Sequence, residues 1–121
     1  MYAAALFKTI EEAGIAVLTL VEGVQDSELL ASRLTRQEVT RQMRLMLEAA
    51  TALPSDMREA MPEIDWSGMA TVGKALSGST KVELDEALVF CSRALTPALM
   101  MWLRVYQQQH PDWFKMRPPA R

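Results

Sequence analysis

Apolar residues recur at steps of three and four along three long stretches of this chain, and no alternating β pattern lasts beyond a few residues. That spacing places apolar side chains on one face of an α-helix, so the chain must bury helix faces against one another. In the first stretch, about residues 3–22, Leu6, Ile10, Ala13, Val17 and Leu20 form one stripe. Gly14 weakens this helix by about 1 kcal/mol without ending it, and Gly23 is its stop signal. Asp26 and Ser27 can cap a short turn through Ser32. Thr35-Arg36-Gln37-Glu38 reads as a capping box opening a second long helix with Val39, Met43, Met46, Ala50 and Leu53 on one face. Pro54 closes it, and short helices follow over about 55–60 and 64–76. Thr80-Lys81-Val82-Glu83 is a second box. It begins the longest helix, to about Gln109, with the stripe Leu84, Leu88, Cys91, Leu95, Leu99, Trp102 and Tyr106. Pro97 lies inside this helix, and because the stripe continues on both sides it predicts a kink, not a break.

These patterns predict an all-α domain over residues 1–110: a bundle of three long helices with short connecting helices. Residues 111–121 read as a C-terminal tail carrying Trp113, Phe114 and three basic residues. The length of 121 residues fits one domain. A composition 50% hydrophobic and 23% charged is that of a globular chain. The net charge of −2 excludes a wholesale electrostatic nucleic-acid binder, though not a local basic patch. One cysteine excludes a disulfide scaffold and a cysteine-rich metal site. The apolar run Ile15–Val21 is far below the ~20 residues of a membrane span, and no segment of the sequence reads as one. Without a basic n-region, and with Glu11 and Glu12 arriving early, the N-terminus does not read as a signal peptide. The expected compartment is the cytoplasm.

Enzyme signatures are absent: there is no phosphate-cradling glycine loop, HExxH, CxxC or nucleophile elbow. A single histidine, His110, excludes His-based metal clusters, and neither a metal nor a cofactor is expected. Glu38, Asp56, Glu59, Glu83, Asp85 and Glu86 sit near helix starts, where they complement dipoles and caps. Arg33, Arg41 and Arg44 can share one side of a rod and contact an acidic partner or phosphate, although a solvated face is the stronger reading. Met43, Met46, Met100 and Met101 read as core filler; Met57, Met61 and Met69 fall in short helices, some of them available as an adaptable interface.

The middle of the chain carries a resemblance. Leu34-Thr35-Arg36-Gln37-Glu38-Val39-Thr40-Arg41-Gln42 leads into Glu48-Ala49-Ala50, then Leu53-Pro54, Met57-Arg58 and Met61-Pro62-Glu63-Ile64-Asp65-Trp66. Farther on, Leu95-Thr96-Pro97 is followed by Leu99. Over about Leu6 to Leu103 this resembles the HepT-like branch of the HEPN superfamily, with the Pro-Glu-Ile-x-Trp run its most specific part. The resemblance implies a small up-and-down helical bundle that forms homodimers. It also implies toxin–antitoxin pairs in which active members cleave RNA and a minimal nucleotidyltransferase neutralises them.

The family's RNA-cleaving signature is Arg, four to six residues, then His, at the start of the last long helix. Counting on from Trp66, its positions fall at about Gly73 and Gly78, and the stretch Thr71–Thr80 holds no Arg, His or Tyr. Lys74 supplies charge but nothing there can move protons at neutral pH. The expectation is therefore a non-catalytic HepT-like protein acting through protein–protein contacts. Its expected partners are a second copy or a nucleotidyltransferase-type antitoxin, with RNA disfavoured. Two alternatives remain. One is a divergent ribonuclease using Arg104 and His110, which fit the Arg–His spacing at the wrong end of the last helix and would lie about 120° apart on a continuous rod. The other is an unrelated α-helical adaptor or immunity-type protein.

Overall fold

The computed structural model describes residues 2–78 and 80–115, and all regular structure among them is helical. The order is α1 (Tyr2–Val21), α2 (Asp26–Ala31), α3 (Arg33–Ala52), α4 (Ser55–Glu59), α5 (Trp66–Leu76), α6 (Lys81–Phe90) and α7 (Thr96–Gln109). A π turn, Cys91–Leu95, joins α6 to α7, and a 3-10 turn, Pro111–Phe114, follows α7. The architecture is an all-α bundle. Its most extensive pairing is α1 with α3; α7 packs on α1, and α5 packs on both α3 and α6. The core is built from Phe7, Ile10 and Val17 of α1, Val39, Met43 and Met46 of α3, Val72 of α5, and Leu88 and Leu103 of the last helix, each at most 1% exposed.

Several boundaries follow from local chemistry. Gly23 has φ +72°, the left-handed conformation that ends α1 without strain. The Thr80 hydroxyl accepts the Glu83 backbone N–H at 3.2 Å while the Glu83 carboxylate accepts the Thr80 N–H at 3.1 Å, so the second capping box forms as read. The first does not. Helix α3 starts earlier, at Arg33: the Ser32 hydroxyl oxygen accepts the Thr35 N–H at 3.4 Å, leaving Thr35 inside the helix. Glu38 is taken instead by Arg41 and Gln42. Helix α2 is opened by Glu28, whose carboxylate accepts the Gln25 N–H at 2.9 Å, and not by Asp26 or Ser27.

The disturbance expected at Pro97 takes the form of the π turn. Proline has no N–H, and its ring would collide with the Arg93 carbonyl in a regular α-helix. Widening the preceding turn relieves this: the Thr96 N–H reaches back five residues to the Cys91 carbonyl. The resulting helix, Lys81–Gln109, is 29 residues long with a mean hydropathy of 1.3 over its most apolar stretch. By length and composition alone that is enough to cross a membrane. This corrects the expectation that no segment of the chain is long and apolar enough to do so. Leu88, Leu95, Leu99 and Leu103, which raise the hydropathy, are buried in the bundle.

The start of the expected tail belongs to the packed structure. Phe114 stacks on Phe7 with centroids 4.2 Å apart, and Trp113 stacks on His110 at 3.9 Å. Trp113 and Phe114 are thus half-buried against α1 and α7. Arg117 and Arg121 lie outside the described residues. The α1 stripe is rotated slightly from its predicted line, with Phe7 and Val21 buried where Leu6 and Leu20 are half-buried. Met61 and Met69 are core residues, whereas Met101 is 53% exposed and not core filler.

Candidate interaction surface

The Thr80–Glu83 box fixes where α6 begins, and α6 turns Leu84, Ala87 and Leu88 towards the bundle. Its remaining face carries Val82, Glu86, Val89 and Phe90. Val82 is 67% exposed and Phe90 is 42% exposed. Two grooves meet at Glu86 and Phe90. One, of about 550 Å³, lies between α5 and α6 and includes Lys74, Ala75 and Glu83 in its lining. The other, of about 370 Å³, is walled by Leu30 of α2 with Asp85 and Val89. A half-exposed phenylalanine between two grooves is an apolar surface shaped to receive side chains. Sequence reading missed it, although Val82, Glu86 and Phe90 recur at steps of four, on a different side from the Leu84–Leu88 stripe.

The arginines on α3 are engaged unequally. Arg36 is the most sheltered: it pairs with Asp85 of α6 and donates to the Leu30 carbonyl at 3.2 Å. Lys81 adds a second cation to Asp85 at 3.1 Å. Arg36 and, less strongly, Lys81 hold the Asp85 carboxyl below the usual carboxylate range. Arg41 makes a two-pronged pair with Glu38 at 2.9 and 2.7 Å. Hydrogen bonds from Arg41 and Gln42 hold the Glu38 carboxyl down at about 2. Arg44 donates to the Leu76 carbonyl at the end of α5, at 2.9 Å. Arg41 and Arg44 therefore line one groove with Arg36, while exposed Arg33 at the start of α3 is not part of it.

His110 ends α7, its N–H donating to the Tyr106 carbonyl at 2.7 Å, and its ring lies flat on Trp113. Arg104 is exposed farther back on α7. Gly73 is half-buried in the middle of α5, where it lines a groove with Arg44 and Glu48, and Gly78 lies in the turn after it. A Cβ added at Gly73 meets nothing within 4 Å. Gly73→Ala is therefore expected to stabilise the fold by about 0.5–1 kcal/mol through helix propensity, measured by chemical unfolding; destabilisation would contradict the open surroundings.

The Met61–Trp66 run has a local structural task at most of its positions. Met61 and Ile64 are buried. The Trp66 indole donates to the Met61 carbonyl at 3.1 Å, and Asp65 caps α5 by accepting the Gly68 N–H at 2.8 Å. Glu63 accepts the Tyr106 hydroxyl, and burial together with that carboxylate pushes the phenol up to about 12. Cys91 is fully buried, and its thiol is pushed up to about 11, so it is protonated and unreactive at neutral pH. Among the described residues, no group of three or more His, Cys, Asp or Glu side chains is placed to hold a metal ion. Compared with known proteins, the chain matches no family model, no curated protein and no solved structure.

Proposed function

We propose that this chain is a non-catalytic, HepT-like cytoplasmic protein that acts through protein–protein contacts, first of all with a second copy of itself across the outer face of α6. The supporting observation is Phe90, 42% exposed where two grooves meet, with Val82 exposed one side of it and Leu30 and Val89 lining the other. Burying such an aromatic anchor in a complementary groove is the usual centre of a stable interface. A nucleotidyltransferase-type antitoxin is the proposed further partner, resting on the Pro-Glu-Ile-x-Trp resemblance.

Catalysis of RNA cleavage needs proton-transfer groups with pKa values near the working pH beside a cation. Gly73, Lys74 and Gly78 offer no such pair, and His110 lies at the far end of α7 with its ring stacked on Trp113. Mixed RNA incubated with the pure protein is expected to stay intact, and expression in a bacterium to leave growth unchanged. Degradation by the wild type that disappears in His110→Ala would replace this reading with an Arg104–His110 ribonuclease.

A further inference from the structure

The outer face of α6 does not end at Phe90. It continues past the π turn onto α7 as Ala94, Ala98, Met101 and Val105, at steps of four and three. Ala94 and Ala98 are exposed, Met101 is 53% exposed and Val105 is half-buried. At 100° per residue, Ala98, Met101 and Val105 fall within an arc of about 60°. The opposite side of the same helix faces the bundle through Leu88, Leu95, Leu99 and Leu103. Only 39% of the most apolar stretch of Lys81–Gln109 is buried, so most of that stretch lies outside the core.

Two charged side chains flank this apolar line. Glu86 sits on α6 between Val82 and Phe90, and Arg104 sits on α7 beside Val105. Both are exposed, and neither belongs to an ion pair among the described residues. Opposite charges thus stand near the two ends of one apolar face.

We propose that the outer sides of α6 and α7 form one continuous interface, on which a second copy of the chain lies antiparallel about a two-fold axis. This rests on the self-association through α6 argued above and adds its second helix, its register and the charge pair that sets the register. Ala94 meets Ala98 of the second copy, where small side chains let the helices approach. Phe90 lies about 6 Å along the axis from Ala94, and Met101 about 4.5 Å from Ala98, so Phe90 meets Met101 of the second copy. The groove of about 370 Å³ that Phe90 lines with Leu30 and Val89 receives that flexible thioether. On the same scale Glu86 and Arg104 lie about 12 and 9 Å out, so Glu86 pairs with Arg104 of the second copy. The two-fold axis makes each of these contacts twice.

Two other arrangements fit less well. A parallel pair would set Glu86 against Glu86 and Arg104 against Arg104, which is repulsive. A lipid surface would cover Phe90 and Met101 but bring no matched counter-charge to Glu86 and Arg104.

Sedimentation velocity over the micromolar range tests the register, with circular dichroism to confirm that each variant stays helical. Met101→Glu, Glu86→Arg and Arg104→Glu are each expected to weaken the dimer at least tenfold. All three positions are exposed, so the isolated fold tolerates the changes. Mixing the Glu86→Arg and Arg104→Glu proteins is expected to restore dimers, because the mixed pair again sets opposite charges together at both contacts. Variants that dimerise as tightly as the wild type, or a mixture no tighter than either variant alone, overturn the proposal. So does migration of the wild type with phosphatidylcholine vesicles in place of dimer formation. If Phe90→Glu abolishes the dimer while Met101→Glu and both charge reversals leave it intact, the antiparallel register fails and the α6 reading stands. A wild type that is monomeric throughout overturns both.

Discussion

Replacing Phe7 by alanine is expected to cost about 3–5 kcal/mol, the range for deleting a fully buried phenylalanine. Phe7 is completely buried and stacks on Phe114 at 4.2 Å. Its removal leaves a cavity between α1 and the 3-10 turn, and it releases the turn that closes this end of the bundle. For a chain of this size the loss lowers the thermal midpoint by on the order of 15 °C, readable by circular dichroism. Phe114→Ala is expected to cost less, roughly 1–2 kcal/mol, because Phe114 is only half-buried and gives up mainly the aromatic contact. A Phe7→Ala loss below about 1 kcal/mol is incompatible with the packing described, since it would place Phe7 where the core can collapse around the gap or where solvent already reaches.

Arg93→Ala is expected to destabilise the protein by about 2 kcal/mol. The Arg93 guanidinium joins the π turn to the far corner of the bundle: it donates to the Val21 carbonyl at 2.9 Å, to the Val24 carbonyl and to the Asp26 carboxylate at 2.9 Å. Val21 is the last residue of α1, and its carbonyl accepts the Val24 N–H at 3.1 Å beside the Arg93 guanidinium. Charged hydrogen bonds of this kind are worth about 1.5–3 kcal/mol each in the best cases; with the Arg93 side chain 33% exposed, solvent recovers part of that. Arg93→Lys is expected to restore less than half, because a compact ammonium cannot span three acceptors held in different directions. Urea unfolding reads the difference as a midpoint shift of roughly 1 M for the alanine variant. A lysine variant as stable as the wild type would show that charge alone, without the fork, ties the corner together.

Features set by neighbours along the chain were legible before folding. The apolar faces of α3 and the last helix, the stop at Gly23 and the Thr80–Glu83 box all depend on residues three or four apart, and they formed as read. The Thr35–Glu38 box failed for an equally local reason: Ser32 competes one turn earlier, and Glu38 has nearer donors in Arg41 and Gln42. What the sequence hides is pairing across distance. Phe114 looks like part of a tail until Phe7 is brought beneath it. Arg93 looks like a solvated charge until α1 ends beside it, and the spacing of Arg33, Arg41 and Arg44 does not reveal that Arg44 reaches the end of α5. Phe90 is the instructive omission. Trp113 and Phe114 read as part of a tail, whereas the folded chain covers them in part and leaves Phe90 and Val82 at the surface.

The most direct measurement is sedimentation of the wild type beside Phe90→Glu across the micromolar range. A carboxylate at this position cannot be desolvated in an apolar groove without a partner, while the 42% exposure of Phe90 allows it in the isolated fold. The wild type is predicted to sediment as a dimer and Phe90→Glu as a monomer of unchanged helicity. A wild type that is monomeric throughout, or a Phe90→Glu variant that dimerises as tightly, would contradict self-association through the face of α6.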